Sequence, residues 1–233
     1  MEHKETLQIK YVLGIECSNP SARGTDRGEV ALARICDDGG LEFVGSLGLS
    51  ADARGSDGLM RAVDALCKSH GAGPGDIERI AVSVGPGGYT ALRVSVTVAK
   101  VLSKVIGCRV VAVPTAAVAG VALGGVDAVV ALASKNGMAH CTRVVGGERT
   151  VLGVIDQDEV CECGAAVLVG DGHVPAVMIE AAEGAGMEFR GIELTGRACL
   201  EASAGIEAIE ADTLGVMYAR EPDAVTQWRA RHG

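Results

Sequence analysis

An apolar run from Tyr11 to Cys17 lies between a charged beginning and a polar turn holding Asn19, Pro20, Gly24 and Asp26, which predicts a buried strand. Glu29 to Cys36 and Leu41 to Leu49 read as two further strands, joined by the tight-turn signal Asp37-Asp38-Gly39-Gly40 into a hairpin. The period then changes. Leu59, Met60, Val63, Leu66 and Cys67 recur at helical spacing, with Arg61, Asp64 and Lys68 on the opposite face, Ser56 or Asp57 as N-cap and Gly71 as the stop. Ile80 to Val84 predicts a short strand, Thr90 to Ile106 a long helix behind a glycine-rich turn, and Cys108 to Val113 the next strand.

Strand, strand, strand, helix, strand, helix, strand is the order of a ribonuclease H-like half, the unit duplicated in the actin and sugar-kinase superfamily. The expected fold is therefore α/β, with two such halves and mixed sheets flanked by helices. The boundary is placed at 122/123, giving a first unit over 1–122 and a smaller, diverged one over 123–233. In the second half, strands are predicted at Ala128 to Ala133, Ala139 to Val145, Val151 to Ile155 and Ala165 to Val169, and a final helix at Thr213 to Arg220. No sequence repeat links the halves.

The stretch Val110 to Val126 carries no charge, but Pro114, Gly120, Gly124, Gly125 and Asp127 break it into pieces too short for a membrane span. A buried strand, a short helix and another strand account for it. At 233 residues and 48% hydrophobic content the chain can build a real core, and with six aromatic residues that core must be packed from small aliphatic side chains. A formal net charge of -9 argues against broad binding to a phosphate backbone, so any contact with RNA is expected to be local or made by a partner. Met1 to Lys10 lacks the basic start and apolar run of a secretory signal, and a cytoplasmic protein is expected. The eight cysteines contain no CxxC pair. Cys161 and Cys163 are the only close two, and reduced thiols are the expectation, with soft-metal binding by this pair as the alternative.

Gly85-Pro86-Gly87-Gly88-Tyr89-Thr90 joins a strand to a helix, where glycines permit tight turns and amides at a helix N-terminus attract anions. It lacks the Gly-Lys-Ser/Thr end of a Walker loop and the GxGxxG fingerprint, and glycine turns also simply allow close packing. The helix behind it is apolar on most faces, with one narrow stripe of Arg93, Thr97, Lys100 and Lys104. Such a helix is buried on most faces, either within its own chain or against another.

Residues 85–93, Gly-Pro-Gly-Gly-Tyr-Thr-Ala-Leu-Arg, resemble the Gly-Pro-Gly-Ser-Phe-Thr-Gly-Leu-Arg signature of the TsaB (YeaZ) family at Gly85, Pro86, Gly87, Thr90, Leu92 and Arg93. Val98-Ala99-Lys100-Val101-Leu102, Val113-Pro114-Thr115-Ala116, Leu13-Gly14-Ile15-Glu16-Cys17-Ser18 and Val169-Gly170-Asp171-Gly172 are similar to further family segments. The resemblance implies a non-catalytic subunit that pairs with TsaD, the transferase that attaches threonylcarbamoyl to the tRNA adenosine beside the anticodon, with the ATPase TsaE as third member. It implies no cofactor of its own, ATP and metal at the partner subunit, and tRNA reached only through the complex. It further implies that first-half helices form the dimer surface, also in a homodimer of the chain alone. On this comparison Met60, Val63, Leu66, Cys67, Leu92, Val96, Ala99 and Leu102 belong to that surface.

The second half departs from the family. Where the family has Asp-Ala-Arg-Arg-Gly-Glu-Val-Tyr, this chain has Ala133-Ser134-Lys135-Asn136-Gly137-Met138-Ala139-His140. A degenerate nucleotide site remains a candidate at Glu16 and Ser18, together with Gly170, Asp171 and Gly172. The alternative function is thus a small ATPase or phosphotransferase using Glu16 and the glycine loop. Asp171 and His173 form a candidate acid/base pair or a plain turn, and the histidines make no HxxxH or HExxH pattern.

Overall fold

The computed structural model describes residues 9–19, 28–49, 55–220 and 223–232; the turn positions Pro20, Gly24 and Asp26 lie outside the described residues. The first sheet has the order β3-β2-β1-β4-β5, built from β1 (Tyr11–Glu16), β2 (Glu29–Ile35), β3 (Leu41–Gly48), β4 (Ile77–Gly85) and β5 (Arg109–Pro114). β1 and β2 pair antiparallel with Gly14 opposite Ala31, whereas β1 and β4 are parallel with Gly14 opposite Ala81. Helix α1 (Gly55–Ser69) precedes β4, α2 (Tyr89–Ile106) joins β4 to β5, and α3 (Thr115–Val121) follows β5. Helix α1 is already formed at Gly55, so Ser56 and Asp57 sit in its first turn rather than at its cap, and Gly71 takes the positive φ expected just past its end. Val110 to Val126 divides as expected, into β5, the short helix α3 and the approach to the next strand.

The second half repeats this plan. Strands β6 (Ala128–Lys135), β7 (Met138–Val145), β8 (Glu148–Ile155), β9 (Val167–Gly170) and β10 (Glu188–Gly191) form a sheet of order β8-β7-β6-β9-β10. Helices α4 (Gln157–Glu162), α5 (Ala176–Gly184) and α6 (Gly196–Ala202) occupy the places of α1, α2 and α3. Both hairpin turns here, Asn136-Gly137 and Gly146-Gly147, have positive φ at both central residues, as a two-residue turn matching strand twist requires. The chain is thus two ribonuclease H-like halves with mixed sheets, although no sequence repeat announces it.

The elements stack in layers. On the outer side of the first sheet, Leu13, Ile15, Ile80 and Val82 pack under Leu59, Val63, Leu66, Val96 and Ala99 of α1 and α2. Between the sheets, α3 and α6 share a core with Val12, Ala31, Val130 and Leu132. Beyond the second sheet, Val129, Ala139 and Cys141 pack under Val160 of α4 and Met178 of α5. Although α6 follows β10 in the chain, its face lies on the first sheet. A Cβ on Gly14 would stand 2.9 Å from the Gly196 carbonyl oxygen, so glycine at both positions permits this contact.

The predicted final helix at Thr213 to Arg220 does not form. A single 3-10 turn at Ala211–Thr213 gives way to an extended strap, and the last helix, α7 (Asp223–His232), comes after it. Tertiary pairing overrides local preference: Ile209 exchanges two backbone hydrogen bonds with Val110 at 2.7 and 3.0 Å, Leu214 is buried in the outer core, and the Met217 amide donates to the Val84 carbonyl at 2.7 Å. Gly215, poor in helix propensity, sits between the last two anchors.

Candidate functional site

Three of the sequence candidates meet at the end of β1. Glu16 is buried, and its Oε1 accepts from both the amide and the hydroxyl of Ser18, at 2.7 and 2.5 Å. The turn so formed carries the Ser18 carbonyl against the glycine loop, where the Gly88 amide donates to it at 2.6 Å. A Cβ on Gly87 would lie 2.1 Å from that oxygen. On the other side of the loop a Cβ on Gly85, whose φ is 113°, would lie 2.3 Å from the Met217 carbonyl oxygen. Pro86 is buried between them.

These contacts decide what the loop can hold. A phosphate needs converging N–H donors and room for close approach. Gly85 and Gly87 are instead approached by carbonyl oxygens of the chain itself, and the Gly88 amide is already committed. The Gly88 amide is therefore not free to reach a phosphoryl group at this loop. The other residues of the proposed nucleotide site lie in the second half: Gly170 ends β9 in the second sheet, Asp171 Oδ1 accepts from the His173 amide at 2.9 Å, and Gly172 is exposed. That bond is a turn closed by an aspartate, not a carboxylate paired with an imidazole. A recess of about 340 Å³ next to it is lined by Asp171, Val174, Ile179, Phe189 and Ile192 with neighbouring glycines. Among the described residues no group of three or more His, Cys, Asp or Glu is placed to hold a metal ion; the eight cysteines are free thiols, and Cys163 Sγ donates to the Glu159 carbonyl at 3.2 Å.

The residues assigned to the partner surface divide sharply. Leu92 and Ala99 are wholly buried, and Val63, Leu66 and Val96 nearly so, all beneath the helix pair and inside the chain's own core. Cys67 and Leu102 are half-buried, and Met60 is exposed. The apolar groups that face outward on α2 are Val101 and Val105, at 56% and 77% exposure, positions that the pattern of the helix did not separate from its buried ones. A groove of about 370 Å³ runs along this outer face from Tyr89, Thr90 and Arg93 to Thr97. The polar stripe is partly occupied from within, since Lys104 pairs with Asp212 of the 3-10 turn and Arg93 lies 5.3 Å above the Tyr89 ring with Nη1 donating to its hydroxyl at 3.2 Å.

Similarity to known proteins bears on this arrangement directly. The family model described as TsaD, tRNA N6-adenosine threonylcarbamoyltransferase, matches residues 50–183, more than half of the chain. The chain belongs to the TsaD family. The matched span takes in α1, the glycine loop, α2 and the second sheet through β9, and stops before α6 and the strap. Two solved structures from Pseudomonas aeruginosa share the fold. YeaZ has a TM-score of 0.65 at 17% identity, over 90% of this chain and 99% of that one. A protein described as similar to peptidase YeaZ has a TM-score of 0.66 at 17% identity, over 91% and 100%. Within the TsaD family the chain thus has the fold of the YeaZ (TsaB) proteins, as residues 85–93 implied. No curated protein matches the sequence.

Two features of the site were not anticipated from the sequence. Tyr218 of the strap stacks on Tyr89 with ring centroids 5.2 Å apart, and Arg220 reaches the β6–β7 turn of the second sheet. Neither residue has local neighbours that mark it; both contacts join segments far apart in the chain.

Proposed function

We propose that this chain is a non-catalytic subunit of the machinery that places threonylcarbamoyl on tRNA, and that it docks on a TsaD-type catalytic partner through the outer face of α1 and α2. The glycine loop carries the reading. A glycine turn between a strand and a helix can invite a phosphate, yet here carbonyl oxygens of Ser18 and Met217 lie close against Gly87 and Gly85, and Glu16 Oε1 is engaged in the Ser18 turn. Chemistry on a nucleotide then belongs to the partner, together with its ATP and metal, while TsaE joins as a third component and tRNA is met through the complex. What this chain contributes is surface. Val101 and Val105 on α2 and Met60 on α1 leave apolar area facing water, α2 also carries the groove at Tyr89 and Arg93, and burying such area is the main favourable term in association.

Purified protein mixed with a TsaD-type partner should form a stable heterodimer and should hydrolyse no ATP when alone. ATP turnover by the isolated chain, lost in Glu16→Gln, would overturn this reading in favour of a small ATPase; failure to associate with any TsaD-type partner would remove the docking surface.

A further inference from the structure

We propose that residues 214–220 are a clasp that holds the two halves of the molecule at a fixed separation, fastened by Tyr218 on Tyr89 at one end and by Arg220 on the 133–138 turn at the other. The strap begins on the first sheet, through Ile209 on β5 and the buried Leu214, and passes the loop end of β4 at Met217. There a side-chain fastening is added to the Met217 backbone bond. Tyr89, the first residue of α2, has Tyr218 at 5.2 Å and the Arg93 guanidinium at 5.3 Å from its ring centre. Both tyrosines are nearly half-exposed, so this contact can part without opening a core.

The second fastening lies in the other half. Arg220 Nη1 donates to the Ala133 carbonyl at 2.6 Å, and Nη2 to those of Met138 at 3.2 Å and Lys135 at 3.4 Å. The turn is shaped to present these oxygens. Ala133 at φ 51° and Asn136 at φ 55° depart from extended backbone at the two places where the β6–β7 ladder shifts register and reverses. A guanidinium, with donors spread in one plane, can serve several diverging carbonyls, which a lysine ammonium does less well. The halves are already joined in the middle by the α3–α6 layer. A strap from the end of β4 to the end of β6 adds a second join between the halves, at the strand ends. Release of either fastening is then enough to open this link, and each end reports the state of the other, because a coupling between two sites is reciprocal.

Amide hydrogen exchange of the full-length chain tests this, with Tyr218→Ala, Arg220→Ala and Arg220→Lys beside the wild type. Arg220→Ala should speed exchange by roughly tenfold, the scale of one lost charge-assisted hydrogen bond, both at 133–138 and at the 84–89 loop of the other half. Tyr218→Ala should speed exchange at 133–138 as well as at 84–89, and Arg220→Lys should fall between wild type and Arg220→Ala. Faster exchange confined to the segment beside each substituted residue, or no change, would overturn the clasp. If Arg220→Ala loses protection throughout the chain, Tyr218→Ala decides alone: faster exchange at 133–138 supports the clasp, and wild-type exchange there refutes it.

Discussion

The carbonyl oxygen of Ser18 lies 2.1 Å from the point a Cβ on Gly87 would occupy, and the same oxygen accepts the Gly88 amide at 2.6 Å. The glycine at 87 is therefore required for space. In Gly87→Ala the clash is with backbone, which cannot swing aside, so the loop must lift from β1 and give up the Gly88 bond. A loss of about 2 to 3 kcal/mol is expected, read as a lower urea midpoint. A loop built to cradle a ligand would tolerate the methyl in the free protein and lose binding instead.

Burial separates two kinds of substitution on α2 that the sequence pattern makes look alike. Val101 and Val105 face water, so Val101→Glu and Val105→Glu should leave the melting temperature within about a degree or two of wild type, as surface changes do, while abolishing association with a TsaD-type partner in a pull-down. Val96→Glu places a carboxylate among Leu13, Ile80 and Leu66 and should prevent folding altogether. Loss of binding in Val96→Glu alone would therefore say nothing about the interface.

The same contrast shows why the sequence was legible in some places and silent in others. The first half is readable because its strands are punctuated by Asp37-Asp38-Gly39-Gly40 and its helices are long enough for a period to show: α1 has 15 residues and α2 has 18. Helices α4, α5 and α6 run for 6, 9 and 7 residues, too short for periodicity to distinguish them from loops. The second half consequently repeats the first in space without repeating it in pattern. In α2 both faces are apolar, so composition identifies a helix that needs covering but cannot say which side its own sheet covers. The strap escaped for a different reason. Val84, Tyr89, Val110 and Ala133 fix residues 209–220 from outside, and nothing within 209–220 encodes those partners.

Where α6 crosses onto the first sheet, its first amide is satisfied by a residue from the other half. Glu29 Oε2 accepts the Gly196 N–H at 3.0 Å, while Thr195 Oγ1 takes the Ala198 N–H at 2.9 Å. Helix starts leave amides without intrahelical partners, and a buried one needs an acceptor from elsewhere. Glu29→Ala should cost about 1 to 3 kcal/mol by stranding the Gly196 amide, and Glu29→Gln, which keeps a carbonyl oxygen in place, should recover most of it in the same denaturation series.

Burial of His140 predicts a sensitivity to mild acid. It stands on β7 opposite Leu132, and its Nδ1 is buried without a hydrogen-bond partner. Burial lowers its pKa below the ordinary imidazole value of 6.5, and the nearby Arg220 guanidinium pushes the same way, against a smaller opposing effect of its own backbone. The unfolded chain therefore binds a proton at a higher pH than the folded one. Above 6.5 both states hold a neutral ring and His140 imposes no cost; as pH falls below that value the unfolded state gains protons first, so stability declines until the folded-state ring also titrates. The melting temperature should drop between pH 7.5 and pH 5, and the part of the drop due to this residue should vanish in His140→Gln. The drop should also shrink in Arg220→Ala, which removes the neighbouring positive charge and lets the folded ring accept its proton at higher pH. An unchanged pH profile in His140→Gln would place the acid sensitivity elsewhere.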